Sequence, residues 1–229
     1  MCHRGPGPSP LQGSRFTAKL QALSAVQSKM TIALRVWPVL LAACDQGGEA
    51  PVDCQDVLSL YRPAGASRDY PEGPYGVEVG DRLAPLELSD CDDEPLDLAA
   101  LLCDPATRLL LLNVGAGWCL PCIEETRELV ESGLHVVRAE QGLRIVQVLY
   151  EDEDAERATR TFCRQWTEEY GMCFPVLTDP LFSTNVYFDR SATPVNMLID
   201  RDAVIRYKVT AQNPVDLEAN VEALLEEAE

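Results

Sequence analysis

The run RLLLLNVGAGWCLPC, Arg108 to Cys122, joins two signals. Arg108 to Val114 is a continuous apolar stretch, as a central strand buried on both faces requires. Cys119 and Cys122 then stand two residues apart, ahead of a helix predicted over 119–132. Both sulfurs come to one side of that helix's first turn. Pro121 lacks only an N–H that the first turn would leave unpaired. This is the spacing of a redox-active dithiol at a strand-to-helix junction.

A thiolate, not a thiol, attacks a disulfide. Cys119, at the helix N-terminus, has the helix dipole and unpaired N–H groups to favour negative charge, so its pKa should fall below the free value of ~8.5. Cys119 is the expected nucleophile. Cys122, one turn further in, would resolve the mixed disulfide. Trp118 would pack over the pair and shape the approach of a partner, with Pro121 on the same rim. A zinc half-site is the competing reading of CxxC. It needs two more ligands, and no second CxxC or His pair accompanies His135, so neither metal nor cofactor is expected.

Strands and helices alternate around this junction. Strands are predicted near Leu88 and over 143–150, 174–177, 195–199 and 204–210. Helices are predicted over 96–103, 155–170 and around Leu217, Val221, Leu224 and Leu225. The order implies an α/β fold, a mixed central sheet covered by helices on both faces. Gly115-Ala116-Gly117 would leave the site open, and the acidic run Glu151 to Asp154 follows a strand as a solvated loop or near the site's rim.

The net charge is −18, unevenly spread. Residues 1–43 hold five basic residues and no acidic one, while 44–229 carry −23. An acidic body argues against non-specific binding to nucleic acid or anionic lipid. A basic, acid-free start suggests a targeting segment. Met30 to Cys44, MTIALRVWPVLLAAC, places a short apolar core before small residues and a cysteine, too short to span a bilayer. Leu41 to Cys44 resembles the lipobox of bacterial lipoproteins, which makes Cys44 the expected lipidation site. Residues 1–43 then read as leader, with Met30 a candidate initiator after 1–29, and 44–74 as a flexible tether carrying at most one short helix, Val52 to Tyr61. The folded domain is expected over 75–229.

Nine cysteines suit an oxidising, extracytoplasmic setting. Beyond Cys2, Cys44 and the dithiol, five remain, so one should lack an intramolecular partner. Local pairings Cys163–Cys173 and Cys91–Cys103 are expected, with Cys54 left over.

With its CxxC after the first long strand, the chain over about 75–229 resembles the thioredoxin-like superfamily. It is most similar to the membrane-anchored, extracytoplasmic TlpA-like reductases, whose hallmark is WCxPC with a glutamate three residues beyond. That glutamate is Glu125. Thioredoxins proper carry a buried acid six residues before the first cysteine; here Asn113 stands there and cannot titrate. Glu125 is either a solvent-facing neighbour of Glu124 or, as the resemblance implies, the carboxylate that exchanges a proton with Cys122. The resemblance also implies a cis proline facing the dithiol, at Thr193-Pro194, where Thr193 would pair with an incoming peptide. The implied activity is thiol-disulfide exchange with exported proteins carrying disulfides or thiols, by a lipid-anchored periplasmic enzyme recharged by a membrane electron donor or acceptor. A thiol peroxidase is an alternative, but Ala116 occupies the place where peroxiredoxins need threonine. A non-catalytic, thioredoxin-fold surface lipoprotein is the other alternative.

Overall fold

The computed structural model describes residues 53–62, 69–92, 94–210 and 214–227. The leader, Cys2, Cys44 and Val52 lie outside the described residues. A seven-stranded mixed sheet forms the centre. One of its interior strands is β3 (Leu109–Ala116), the apolar run of the sequence, with all eight residues buried. Parallel to it lie β4 (Leu143–Glu151) and, beyond, β5 (Val176–Thr178). On the other side β6 (Val195–Asp200) runs antiparallel and pairs with β7 (Ile205–Thr210). A short hairpin of β1 (Leu88–Asp90) and β2 (Pro95–Leu96) extends the far edge through β5.

The helices are α1 (Cys54–Ser59), α2 (Leu98–Leu102), α3 (Leu120–Glu131), α4 (Leu134–Val137), α5 (Arg160–Tyr170) and α6 (Pro214–Glu227). Asp97 caps α2 as expected, accepting from Ala100 N–H. The strand expected over 174–177 runs Val176–Thr178, and two larger departures from the sequence reading concern helices. The helix predicted from residue 155 begins at Arg160, because the Asp152 carboxylate accepts from Asp154 and Glu156 N–H and winds a turn there. Ala155 sits at φ 61°, and Thr159 then caps the helix. The short α4 follows α3 after Gly133, whose φ of 63° ends one helix and opens the next.

The segment read as a tether is partly built into the domain. Val57 and Tyr61 are buried, and the Tyr61 hydroxyl accepts from Ile145 N–H of β4 at 2.9 Å. β5 pairs with β4 only over Gln147–Leu149, so the turn after α1 supplies, through Tyr61, a partner that the sheet does not. A disulfide from Cys54 to Cys173 fastens the same helix.

Both expected local disulfides are replaced. Cys91 bonds Cys163 and Cys54 bonds Cys173, while Cys103, buried after α2, belongs to neither bond. Cys163 lies in the first turn of α5 and Cys173 beyond its end. The helix rises roughly 10 Å from Cys163 to its end at Tyr170, and beyond that end Cys173 lies beside Cys54, at a Cα separation of 4.8 Å. The antiparallel β1–β5 pairing instead carries Cys91 to α5, at a Cα separation of 5.3 Å from Cys163.

Candidate active site

Three strand ends meet at one end of the sheet. β3 ends at Ala116, and the chain turns through Gly117 and Trp118 to Cys119. Antiparallel pairing sets Val114 against Val195, so the peptide just before β6, Thr193-Pro194, lies beside that turn. Parallel pairing sets Ala116 against Glu151, the last residue of β4. The topology thus brings together residues 74 and 32 positions away from Cys119.

Cys119 is the N-cap of α3. Its sulfur accepts from Cys122 N–H at 3.2 Å and is bonded to Cys122. Both are nearly covered, 4% and 2% exposed. The N–H contact and the dipole favour a thiolate at Cys119 once the bond is reduced. Thr193 places its hydroxyl 3.7 Å from the Cys119 sulfur, and the Thr193-Pro194 peptide is cis. The Tyr150 hydroxyl stands 3.5 Å behind Thr193.

The glycines do not open the site. A Cβ on Gly115 would lie 3.1–3.2 Å from the Cys122 side chain, and one on Gly117 would meet Phe162 and the Asp152–Glu153 backbone at 2.5–2.8 Å. They admit close approach, and the space is filled. The rim is built from Trp118, 38% exposed, and from Leu120 and Pro121. Trp118 Nε1 donates to Glu151 at 2.7 Å. Arg190 also donates to Glu151 and lies over the Trp118 ring, 5.7 Å from its centroid. The first acid of the run 151–154 is therefore a fixture of the rim.

Glu125 is 1% exposed, so the solvent-facing reading fails. Asn113 donates to one carboxyl oxygen at 2.9 Å and Asn196 to the other at 2.6 Å. Gln147 donates to Asn113 at 2.8 Å and to Thr126 at 2.7 Å, and accepts from Trp166. Gln147, Asn113 and Asn196 occupy one cross-strand row of β4, β3 and β6. Burial pushes the Glu125 carboxyl up to about 7; the two asparagine bonds oppose the rise and Glu128 adds to it. Sequence reasoning missed Gln147 and Asn196. Their signal was a lone amide inside each apolar run, IVQVLY and VNMLI.

Among the described residues no group of three or more His, Cys, Asp or Glu is placed to hold a metal. The redox group is the Cys119–Cys122 disulfide itself. A thioredoxin-like fold with a dithiol at this junction defines a thiol-disulfide oxidoreductase. The chain belongs to the AhpC/TSA family, whose sequence profile matches residues 79–208. No curated protein matches it in sequence. Similar solved structures include a thiol:disulfide interchange protein from Bacteroides sp., at 16% identity and TM-score 0.53, covering 66% of this chain and 91% of that one. A protein assigned as the thiol:disulfide interchange protein DsbE from Chlorobium tepidum gives 20% and 0.54, over 66% of this chain and 99% of that one. Peroxidoxin BcpB from Mycobacterium tuberculosis gives 18% and 0.53, over 67% and 99%. At these identities the likeness is one of fold.

Proposed function

We propose that this protein is a lipid-anchored, extracytoplasmic enzyme that exchanges electrons between its Cys119/Cys122 dithiol and disulfides of exported proteins. The observation that carries the reading is Cys119 as N-cap of α3, its sulfur accepting from Cys122 N–H and facing Thr193. The Cys119 thiolate attacks one sulfur of a partner disulfide and expels the other as a thiolate, which takes a proton from solvent. Glu125 accepts the proton of Cys122. The Cys122 thiolate then attacks the Cys119 sulfur and expels the partner's second sulfur as a thiolate, which also takes a proton from solvent. The partner gains two electrons and two protons, and the dithiol becomes a disulfide. Trp118, Pro121 and Thr193-Pro194 would receive the partner's extended chain, and a membrane electron donor would restore the dithiol. Disulfides from Cys91 and Cys54 suit an oxidising compartment. Lipidation at Cys44 would hold the enzyme at the membrane; among the described residues no helix is long and apolar enough to cross one.

The family match favours a thiol peroxidase as the second reading. Ala116 and the shielded Cys119 count against it. Insulin reduction by wild type and Cys119→Ser, beside hydrogen peroxide consumption, separates them. Insulin turnover lost in the variant supports the reductase; equal insulin turnover in both proteins sinks it, and peroxide turnover alone makes the peroxidase the better account. Metabolic lipid labelling of Cys44→Ser tests the anchor, and undiminished labelling would refute it.

A further inference from the structure

The amides around Glu125 have a direction, and one group sets it. The Trp166 indole N–H can only donate, whereas an amide or a hydroxyl can turn to suit its neighbours. The Gln147 atom that Trp166 meets at 2.7 Å is therefore the oxygen. The Gln147 NH2 is left to point the other way, to Asn113 Oδ1 at 2.8 Å and Thr126 Oγ1 at 2.7 Å. With its oxygen taken, Asn113 presents its NH2 to Glu125 and to Asn196 Oδ1, both at 2.9 Å. Asn196 then has only its NH2 to offer the other Glu125 oxygen, at 2.6 Å. Both carboxyl oxygens thus face donors, which favours a carboxylate, and each keeps a lone pair for a proton. Thr126 does not fix the direction. Its hydroxyl donates to Cys122 O here and would serve a turned Gln147 equally well.

Reversed, the chain would aim the Asn113 and Asn196 oxygens at Glu125, and a carboxylate has no proton to give them. Trp166 is itself firmly held. It is 4% exposed and packs against Phe162 and Tyr170, with ring centroids 5.7 and 4.6 Å away. It lies one turn beyond Cys163, where the bond to Cys91 anchors α5. We propose that Trp166 is a positioning residue for the acid–base partner of the dithiol: its indole N–H, acting through Gln147, orients the amides so that Glu125 meets donors at both oxygens. The proposal rests on the reading of Glu125 as the proton partner of Cys122. The titratable groups around Glu125 are Cys122 and Glu128 on α3, Glu218 on α6 and Tyr207 on β7. None belongs to α5, so replacing Trp166 leaves them in place.

The test uses the full chain with Trp166→Phe and, separately, with benzothienylalanine at the same position. The latter keeps the bicyclic ring and carries sulfur in place of the N–H. Infrared spectroscopy of the disulfide form follows the Glu125 carbonyl stretch, assigned against Glu125→Gln, and gives its titration midpoint. Both replacements should move that midpoint upward. Oxidation of the dithiol by a disulfide at neutral pH should slow about fivefold, as a midpoint about one pH unit higher requires. Gln147→Met cuts the chain at its next link, so adding Trp166→Phe to it should move the midpoint no further. An unmoved midpoint in either folded replacement, or additive shifts in the double variant, overturns the role of Trp166. If Trp166→Phe does not fold, the benzothienylalanine protein decides alone. Wild-type insulin turnover separates the two readings. Its absence defeats the proposed function, whereas turnover with an unmoved midpoint defeats only the positioning role.

Discussion

Glu125 is the residue on which the chemistry and the stability of the fold pull apart. Its carboxyl titrates near 7 in the folded chain against an ordinary 4.5. Between those two values the unfolded chain has released the proton and the folded chain still holds it. The contribution of Glu125 to stability is therefore fully present below pH 4.5 and is lost as pH rises toward 7, by about 3 kcal/mol. Urea denaturation across pH 4.5–7 should show this decline in wild type and not in Glu125→Gln. The same ionisation makes Glu125 a base, so the rate at which the dithiol is oxidised by a disulfide should rise through pH 7. Glu125→Gln should lose that limb in stopped-flow traces. At Gly117 steric crowding decides. A Cβ would press on the Asp152–Glu153 backbone, so Gly117→Ala should lower stability by about 1–3 kcal/mol in thermal or urea melts.

At the scale of elements, the dithiol's surroundings come from strand pairing. One register row brings Gln147, Asn113 and Asn196 beneath α3, and the ends of β3, β4 and β6 bring Glu151 and Thr193 to Cys119. The sequence showed the central strand, the CxxC and the proline before β6, because each is a local pattern. It did not show the amide row, because three lone polar residues reveal a network only when register aligns them. Glu125 was legible as a carboxylate of the right spacing but not as a fully buried one. The disulfides were misread for a related reason: proximity in sequence is a poor guide once a helix such as α5 lies between two cysteines. Docking of α1 also depends on a distant element. Tyr61→Phe removes the hydroxyl that Ile145 N–H donates to, and should cost about 1–3 kcal/mol in urea denaturation.

At the scale of the whole molecule, the two outer disulfides join segments far apart in the chain. Cys54–Cys173 spans 119 residues and Cys91–Cys163 spans 72. Such crosslinks restrict the unfolded chain, at about 2–4 kcal/mol each. Non-reducing peptide mapping should recover these two linkages and neither of the local ones. The Cys54→Ser/Cys173→Ser double variant should unfold at lower denaturant while keeping dithiol activity. The two bonds hold the scaffold, and the third, Cys119–Cys122, does the exchange.

That division of labour is tested most directly by trapping the covalent intermediate. In Cys122→Ser the resolving thiol is absent, so a reduced protein offered a disulfide-bonded polypeptide at neutral pH should stall as a mixed disulfide. Mass spectrometry should place that bond on Cys119. A bond through Cys103 or an outer cysteine, or no adduct at all, would contradict the account.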